Sequence, residues 1–395
     1  MSKIMVVANE IPYPPHRNGV CSTLYNFIRC WYEMGHEVSI KYLSTREIEY
    51  EQALKEKYNV ECECLELLGK EVLGRINGKF VLKPRNCWRI ETRRCKQIQT
   101  QGYQYLVLGS FQAASVIDYI ERANTCRTIF FEADSLSMFY KRNMGEAKNF
   151  LRKLYLFTQK KCIEHVEKKL YQICDTTSFV SSVDCEYAHN KFVNGNFRVN
   201  RIACSVLADN RKVVEDEENK ECFEIGFSGI MDYSPNVLAV DYIIEEIMPC
   251  LDLSGINYRM HLIGKNPMER WKENQYYKDG KLIITGFVDN IDLYIKSMDL
   301  YVSPLFLGTG MKNKILQAMG IGVPMICSEV STEGISELVD GENYIQCGKD
   351  TNEWRDSILM LLKDYKMRHM FSENCKKIIQ DVYSWETSAK ELLEE

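Results

Sequence analysis

The sequence predicts an α/β protein made of two Rossmann-like domains in tandem, and three observations carry that expectation. A strand, loop, helix, strand unit opens the chain at Lys3. The stretch ADNRKVVEDEENKE, residues 208–221, is charge-dense and has no hydrophobic period, as a linker would be. The strand–helix alternation then restarts at 222. At 395 residues the chain is too long for one ordinary core and suits two domains of about 150–200 residues each. The expected division is an N-terminal domain over 1–207, the linker over 208–221, a C-terminal domain over 222–380 and a closing helix over 381–395.

KIMVVAN (Lys3–Asn9) is a short β-branched run ended by turn residues, the pattern of a buried parallel strand. In IPYPPHRNG, Pro12, Pro14 and Pro15 exclude helix, and Gly19 stands where a helix begins. Leu24, Phe27, Ile28 and Trp31 then recur at helical spacing, Gly35 stops the helix, and HEVSIKYLS is the next strand. YQYLVLGS, RTIFFEADS and TTSFVSSVD read as further strands. Between the last two, Tyr140–Leu170 reads as one helix carrying nine cations. These are Lys141, Arg142, Lys148, Arg152, Lys153, Lys160, Lys161, Lys168 and Lys169. That run is either a solvated face or a docking face for an anionic membrane. After the linker, strands are expected in FEIGFS, YRMHLIG, LIITG, MDLYVSP, PMICSEV and NYIQCG. Each is followed by a turn or helix, the alternation that builds a doubly wound sheet.

Composition removes several functions. The net charge of −5 argues against a general nucleic-acid binder. None of the 16 cysteines has Cys-x-x-Cys spacing, so no zinc site is expected, nor does any Asp-x-Asp or His/Asp cluster call for a divalent ion. MSKIMVVANEIPYPP has neither an h-region nor a cleavage site. The thiols therefore read as reduced and cytosolic, and no apolar run approaches the ~20 residues that span a bilayer.

The stretch with the clearest chemistry is SPLFLGTGMKNKILQAMGIGVPMICSEVSTEGI (Ser303–Ile335). Gly308, Thr309 and Gly310 follow a strand and precede a helix, with Lys312 and Lys314 beside them. Glycines let backbone N–H groups approach an anion at a helix N-terminus, and a lysine there opposes the helix dipole unless an anion is bound. The alternative is a tight turn with solvated lysines. Asp134 ends a strand, where Rossmann-like domains place ligand groups, but it would also serve as a helix N-cap.

Taken together, these motifs resemble the GT-B glycosyltransferases of the family 4 type, which are retaining and use nucleotide sugars. IPYPPHRNG resembles the N-terminal Pro/Gly loop, GFSGIMDYSPN the opening of the donor domain, and GFVDNIDLYIKSMDLYVSPL the stretch before the signature. GTGMKNKILQAMGIGVPMICSEVSTEGI is similar to the nucleotide-sugar signature itself, and YSWETSAKELLEE to the helix that crosses back to the first domain. The resemblance implies a GT-B fold whose domains face each other across a cleft. It also implies a nucleoside-diphosphate sugar as donor substrate, with UDP-sugar favoured, no cofactor and no metal. The acceptor would be a glycan, glycolipid or lipid-linked species in bacterial polysaccharide assembly, on the cytoplasmic side, with peripheral membrane contact through residues 141–169.

By that resemblance Lys312 stabilises the departing diphosphate and Asp134 orients or deprotonates the acceptor. Gly229, Gly308, Thr309, Gly310 and Lys314 surround the phosphates, with Asn236 either reaching the donor or capping a helix. Gly286, Phe287 and Val288 lie beside the base, while Glu333 and Gly334 meet sugar or ribose hydroxyls. Arg17 and Gly19 lie on the loop that would approach the diphosphate. The sequence departs from the pattern at two positions. The family's Glu-x7-Glu reads Thr309 and Gln317 here, so the ribose contact falls to the Gln317 carbonyl oxygen or to Glu333. The cation that often follows the glycine of the opening donor loop is replaced by Ile230 and Met231. These departures keep open a rival reading, a non-catalytic GT-B chain that supports an active glycosyltransferase. A sugar-nucleotide epimerase would want histidines crowding its site, and the chain has six in all.

Overall fold

The computed structural model describes residues 1–65, 74–76, 79–81, 97–114, 116–147, 149–207 and 220–394. They form two compact units, Met1–Ile202 with Trp385–Glu395, and Ala203–Ser384. Most of the 208–221 stretch lies outside the described residues.

The first unit is a seven-stranded parallel sheet. Its strands are β1 (Lys3–Ala8), β2 (Glu37–Tyr42), β3 (Glu61–Cys64), β4 (Tyr105–Leu108), β5 (Arg127–Ala133), β6 (Thr176–Phe179) and β7 (Phe197–Val199). The order β7-β6-β5-β4-β1-β2-β3 reverses between β1 and β4, the switch point of a doubly wound sheet. Strands β3 and β7 escape sequence reading because they are short. β3 is Glu-Cys-Glu-Cys, with no apolar run to mark it.

Helix α1 (Gly19–Glu33) starts where Gly19 was expected to start it, capped by the Asn18 side chain, which accepts from the Cys21 N–H at 2.9 Å. Gly35, at φ +83°, ends the turn that follows. The helix buries Leu24, Phe27, Ile28 and Trp31. The Trp31 indole donates to the Ala389 carbonyl at 2.8 Å, so the helix Trp385–Leu393 is fastened to α1. Helix α2 (Ile48–Tyr58) follows β2. The expected single basic helix is in fact two, α3 (Leu136–Glu146) and α4 (Phe150–Ile173). Asn149 caps α4 by accepting from the Leu151 N–H, a short-range signal that the run of cations obscured. Helix α5 (Ser182–Lys191) is capped by Ser181.

The second unit is a six-stranded parallel sheet of β8 (Phe223–Ser228), β9 (Tyr258–Ile263), β10 (Leu282–Gly286), β11 (Leu300–Ser303), β12 (Met325–Cys327) and β13 (Ile345–Gln346). Its order, β10-β9-β8-β11-β12-β13, reverses between β8 and β11. The helices that matter for the site are α6 (Ser234–Tyr242), α7 (Ile291–Lys296), α8 (Asn313–Ile321) and α9 (Glu329–Thr332). Strand and helix apolar faces meet in a core that includes Phe227, Leu262, Val302, Trp354 and Phe371. Gly322, at φ +78°, stops α8.

Candidate functional site

In the second unit the candidate residues gather at the C-terminal ends of the strands, around the switch point. Strands β8 and β9 run directly into Gly229 and Gly264, and β10 ends in Gly286, at φ +158°, +144° and +66°. Their backbones are bonded to one another. Gly229 N–H donates to the Ile263 carbonyl at 3.0 Å, and Gly264 N–H to the Gly286 carbonyl at 3.1 Å. A Cβ on Gly264 would lie 1.9 Å from the Gly229 carbonyl oxygen, so nothing larger fits there. This is a ledge of bare backbone where a ligand can come close. Gly264 was not among the sequence candidates. Its signal was present in HLIGKNP, a strand running straight into glycine, but that stretch reads as an ordinary turn.

The side chains on this ledge rearrange the expected roles. Lys314 is in the first turn of α8, and its ammonium donates to the Asn236 Oδ1 at 2.7 Å. It also lies 4.2 Å from the centre of the Phe227 ring. A Cβ on Gly229 would come 3.0 Å from the same nitrogen, which puts the cation on the opening loop of this unit. Asn236 does not cap α6. Its amide donates to the Ile230 carbonyl at 2.8 Å, so it ties that loop to Lys314. Lys314 is partly accessible, yet its ammonium lies deep in the unit. That burial, with the neighbouring Lys312 charge, draws its pKa down to about 7.

Lys312 is not in the first turn but is the residue before it, at the N-cap position of α8. Its ammonium donates to the Gly310 carbonyl at 2.7 Å and reaches back over Gly308. Gly308 and Gly310 take φ +146° and +68°, and Thr309 between them is buried. Gln317, on α8, donates to Asp292 of α7 at 2.6 Å, which places a carboxylate beside the uncharged amide. Asp292 was also missed. It is distant in sequence from the signature, and only the packing of α7 on α8 brings it there.

Phe287 follows the ledge and is 57% exposed, with Val288 half-buried beside it. Glu333 is the C-terminal cap of α9, which ends at Thr332, and is followed by Gly334 at φ +88°. Strand β11 and α9 are locked by serines. The Ser331 hydroxyl donates to the Ser303 carbonyl at 2.5 Å, and the Leu305 N–H donates to Ser331 Oγ.

In the first unit, Gly19 is the exposed first residue of α1. Arg17 makes a two-pronged contact with Glu47 at 2.6 and 3.1 Å and lies 3.5 Å from Glu10, so two carboxylates already face its guanidinium. Asp134 is exposed at the end of β5, and Ser135, not Asp134, caps α3. Ala133 takes φ +61°, unusual for a residue with a Cβ. Among the described residues, Cys30, Glu33 and Glu386 are the one group with metal-ligand spacing. Arg29 pairs with both acids, and burial pushes the Cys30 thiol up to about 11, which disfavours a thiolate ligand.

Residues 222–364 match the family model described as glycosyl transferases group 1. The match falls within the second unit and covers less than half of the chain. An uncharacterized glycosyltransferase of Methanocaldococcus jannaschii is 32% identical over 131 residues, 31% of this chain and 32% of that protein. The match therefore spans about a third of that relative's length. An uncharacterized 44.6 kDa protein from the cps region of Klebsiella pneumoniae is 20% identical over 85% of this chain and 84% of its own length. Among solved structures, sucrose-phosphate synthase of Thermosynechococcus elongatus superposes with a TM-score of 0.68 at 14% identity, covering 99% of this chain and 97% of that one. Anabaena HepE in complex with UDP-glucose gives 0.66 at 11% identity, covering 99% and 98%. The fold is GT-B. No helix among the described residues is long and apolar enough to cross a membrane.

Proposed function

We propose that this chain is a glycosyltransferase that moves a hexosyl group from a UDP-sugar to a glycan, glycolipid or lipid-linked acceptor, with retention, in bacterial polysaccharide assembly. The observation that carries the reading is the Lys314 ammonium held by Asn236 on the glycine ledge, at the switch point of the second sheet. A sugar diphosphate gains negative charge on its leaving oxygen as the glycosidic bond loosens. Fixed N–H groups and a desolvated cation stabilise that charge more than they stabilise the ground state.

In this reading Lys314 supplies the cation that the Ile230–Met231 loop lacks, and Lys312 with Gly308, Thr309 and Gly310 closes on the other side of the diphosphate. Gln317 and Asp292 take the ribose hydroxyls, with Glu333 and Gly334 toward the sugar. Gly286, Phe287 and Val288 border the base. Asp134 serves the acceptor from the first unit, and Gly19 and Arg17 belong to that unit's loop, with Arg17 holding it in shape through Glu47. UDP is favoured because HepE, a protein of the same fold, is described in complex with UDP-glucose. A role in polysaccharide assembly is favoured by the relative from a cps region.

The acceptor side would sit on the inner face of a membrane. The first turns of α4 expose Phe150, Leu151, Leu154 and Tyr155 next to Arg152 and Lys153. Apolar side chains flanked by cations suit an anionic lipid surface. The test of the whole reading is UDP release from UDP-glucose, UDP-galactose and UDP-N-acetylglucosamine, with extracted bacterial glycolipids as acceptors. Acceptor-dependent release from one donor supports it. Tight UDP binding without release from any donor would point instead to the non-catalytic chain.

A further inference from the structure

The first unit holds a buried acid pair that the transfer reaction does not itself use. Glu132, on β5, and Glu167, on α4, are 4% and 0% exposed and lie against each other. The Tyr171 hydroxyl donates to Glu132 Oε2 at 2.6 Å, and the Ser137 N–H donates to Glu167 Oε1 at 2.9 Å. The remaining oxygens, Glu132 Oε1 and Glu167 Oε2, are buried and receive no donor from the protein. Two facing carboxylates without a donor would be costly in such a place, and one proton between them satisfies both oxygens.

The pair also sits behind the turn that carries Asp134. The register between β5 and β6 slips at this point, with Ser178 opposite Phe131 and Phe179 opposite Ala133, so Glu132 is the extra residue of a bulge. The bulge sends its side chain inward and Ala133 into the left-handed region. Asp134 N–H then closes back on the Glu132 carbonyl at 2.8 Å. On the other side of the turn, the Ser135 N–H donates to Asp184 Oδ1 at 2.8 Å, and Glu167 takes the Ser137 N–H of α3. The residues after Asp134 are therefore anchored by two carboxyls, Asp184 of α5 and Glu167 of α4, while Glu132 closes the turn through its backbone carbonyl.

We propose that Glu132 and Glu167 share a single proton and that this shared proton holds the Glu132–Ser137 turn in the form that presents Asp134. They act as positioning residues, since neither is exposed to a substrate. Loss of the proton leaves two carboxylates in contact, with Asp184 nearby, and the turn loosens as the pair separates. The groups facing the pair are Tyr171 on α4, Asp184 and Lys191 on α5, and Ser137 on α3. Lys191 is engaged by Glu164 and by the Tyr187 hydroxyl, so it is not a full counter-charge for the pair. Burial and the neighbouring carboxyl both raise Glu132 well above the ordinary range, and burial raises Glu167 to about 7, so the change falls at or above neutral pH. The importance of the turn for transfer rests on the proposed role of Asp134, but the proton and the turn do not.

The test uses the full chain and the variants Glu132→Gln and Glu167→Gln, whose amides donate permanently where the proton would. Carbon-13 titration of the glutamate carboxyls reads the proton directly. Hydrogen exchange of residues 133–138, corrected for intrinsic rates, reads the turn. The expected result is one carboxyl still protonated at neutral pH in the wild type. Protection of 133–138 should fall at least tenfold as that proton leaves, and stay level in both variants. Both carboxyls ionised at pH 7, or identical protection profiles in wild type and variants, would overturn the proposal. UDP-sugar turnover is measured alongside. An alkaline decline present in wild type and absent from Glu132→Gln ties the turn to transfer. Absence of turnover in the wild type at every pH counts against the proposed function and leaves the carboxyl titration to decide on the pair.

Discussion

At the scale of single residues, the proposed function turns on which lysine would meet the anion. The sequence favours Lys312 over Lys314, because Lys312 stands closer to Gly308-Thr309-Gly310. The structure separates them through one bond, Lys314 to Asn236, and one enclosure, the Phe227 ring. Lys314→Met should weaken UDP binding by roughly 1.5–3 kcal/mol, or about ten- to hundredfold, the range for a hydrogen bond to a charged group. Lys312→Ala should cost less, since that ammonium is spent on the Gly310 carbonyl and is half-exposed.

The depressed Lys314 pKa has two measurable consequences. Between about 7 and the ordinary lysine range, the unfolded chain holds a proton here that the folded chain does not. Stability should therefore rise with pH across that window, and Lys314→Met should flatten the rise in urea titrations. An arriving diphosphate favours the charged amine, so UDP binding near pH 8 should take up a proton. Calorimetry in buffers of different ionisation enthalpy would show it, and a buffer-independent heat would contradict it. Asp292 was not legible in the sequence for a plain reason. Nothing local distinguishes it from a surface acid until α7 packs on α8 and Gln317 reaches it.

At the scale of elements, both sheets were readable from β-branched runs bounded by turn residues. The elements that were missed or misjoined lacked that signal. Strand β3 has no apolar residue except cysteine, and the boundary between α3 and α4 depends on a cap, Asn149, inside a run of cations. The glycine ledge was half-legible. Gly229 and Gly286 follow clear strands, whereas the need for Gly264 comes from a contact with Gly229 that only the register of β8 and β9 creates. Gly264→Ala should therefore do more than a turn substitution. Its Cβ would overlap a backbone oxygen, and φ +144° is unfavourable for alanine. A loss of roughly 1–3 kcal/mol in urea unfolding, together with loss of UDP binding, is expected. On α4, replacing both Leu151 and Leu154 with glutamate should abolish flotation with phosphatidylglycerol vesicles while leaving UDP affinity intact. Equal flotation of wild type and variant would remove the membrane role from this helix.

At the scale of the whole molecule, the tandem arrangement was legible because the strand–helix pattern stops and restarts. The last helix was assigned to the first domain by the resemblance of YSWETSAKELLEE rather than by that pattern. The helix Trp385–Leu393 belongs to the first unit although it ends the chain. It is held there by Trp31, by the Phe27–Trp385 ring contact at 5.9 Å, and by the Asn200 amide donating to the Ser388 carbonyl at 2.9 Å. The two units also carry separate chemistry. Cations and glycines gather on the second, and buried acids stand behind an exposed aspartate on the first. Substitutions in the Glu132–Glu167 pair should then alter the pH dependence of transfer without changing donor affinity, whereas Lys314→Met should lower both transfer and donor affinity. The measurement that bears most directly on the central claim is calorimetric titration of UDP, GDP and ADP into the wild type and Lys314→Met. The expected result is micromolar binding of UDP, in preference to GDP and ADP, weakened at least tenfold by the substitution. Failure of all three nucleotides to bind the folded wild type, or UDP affinity unchanged in the variant, would contradict it.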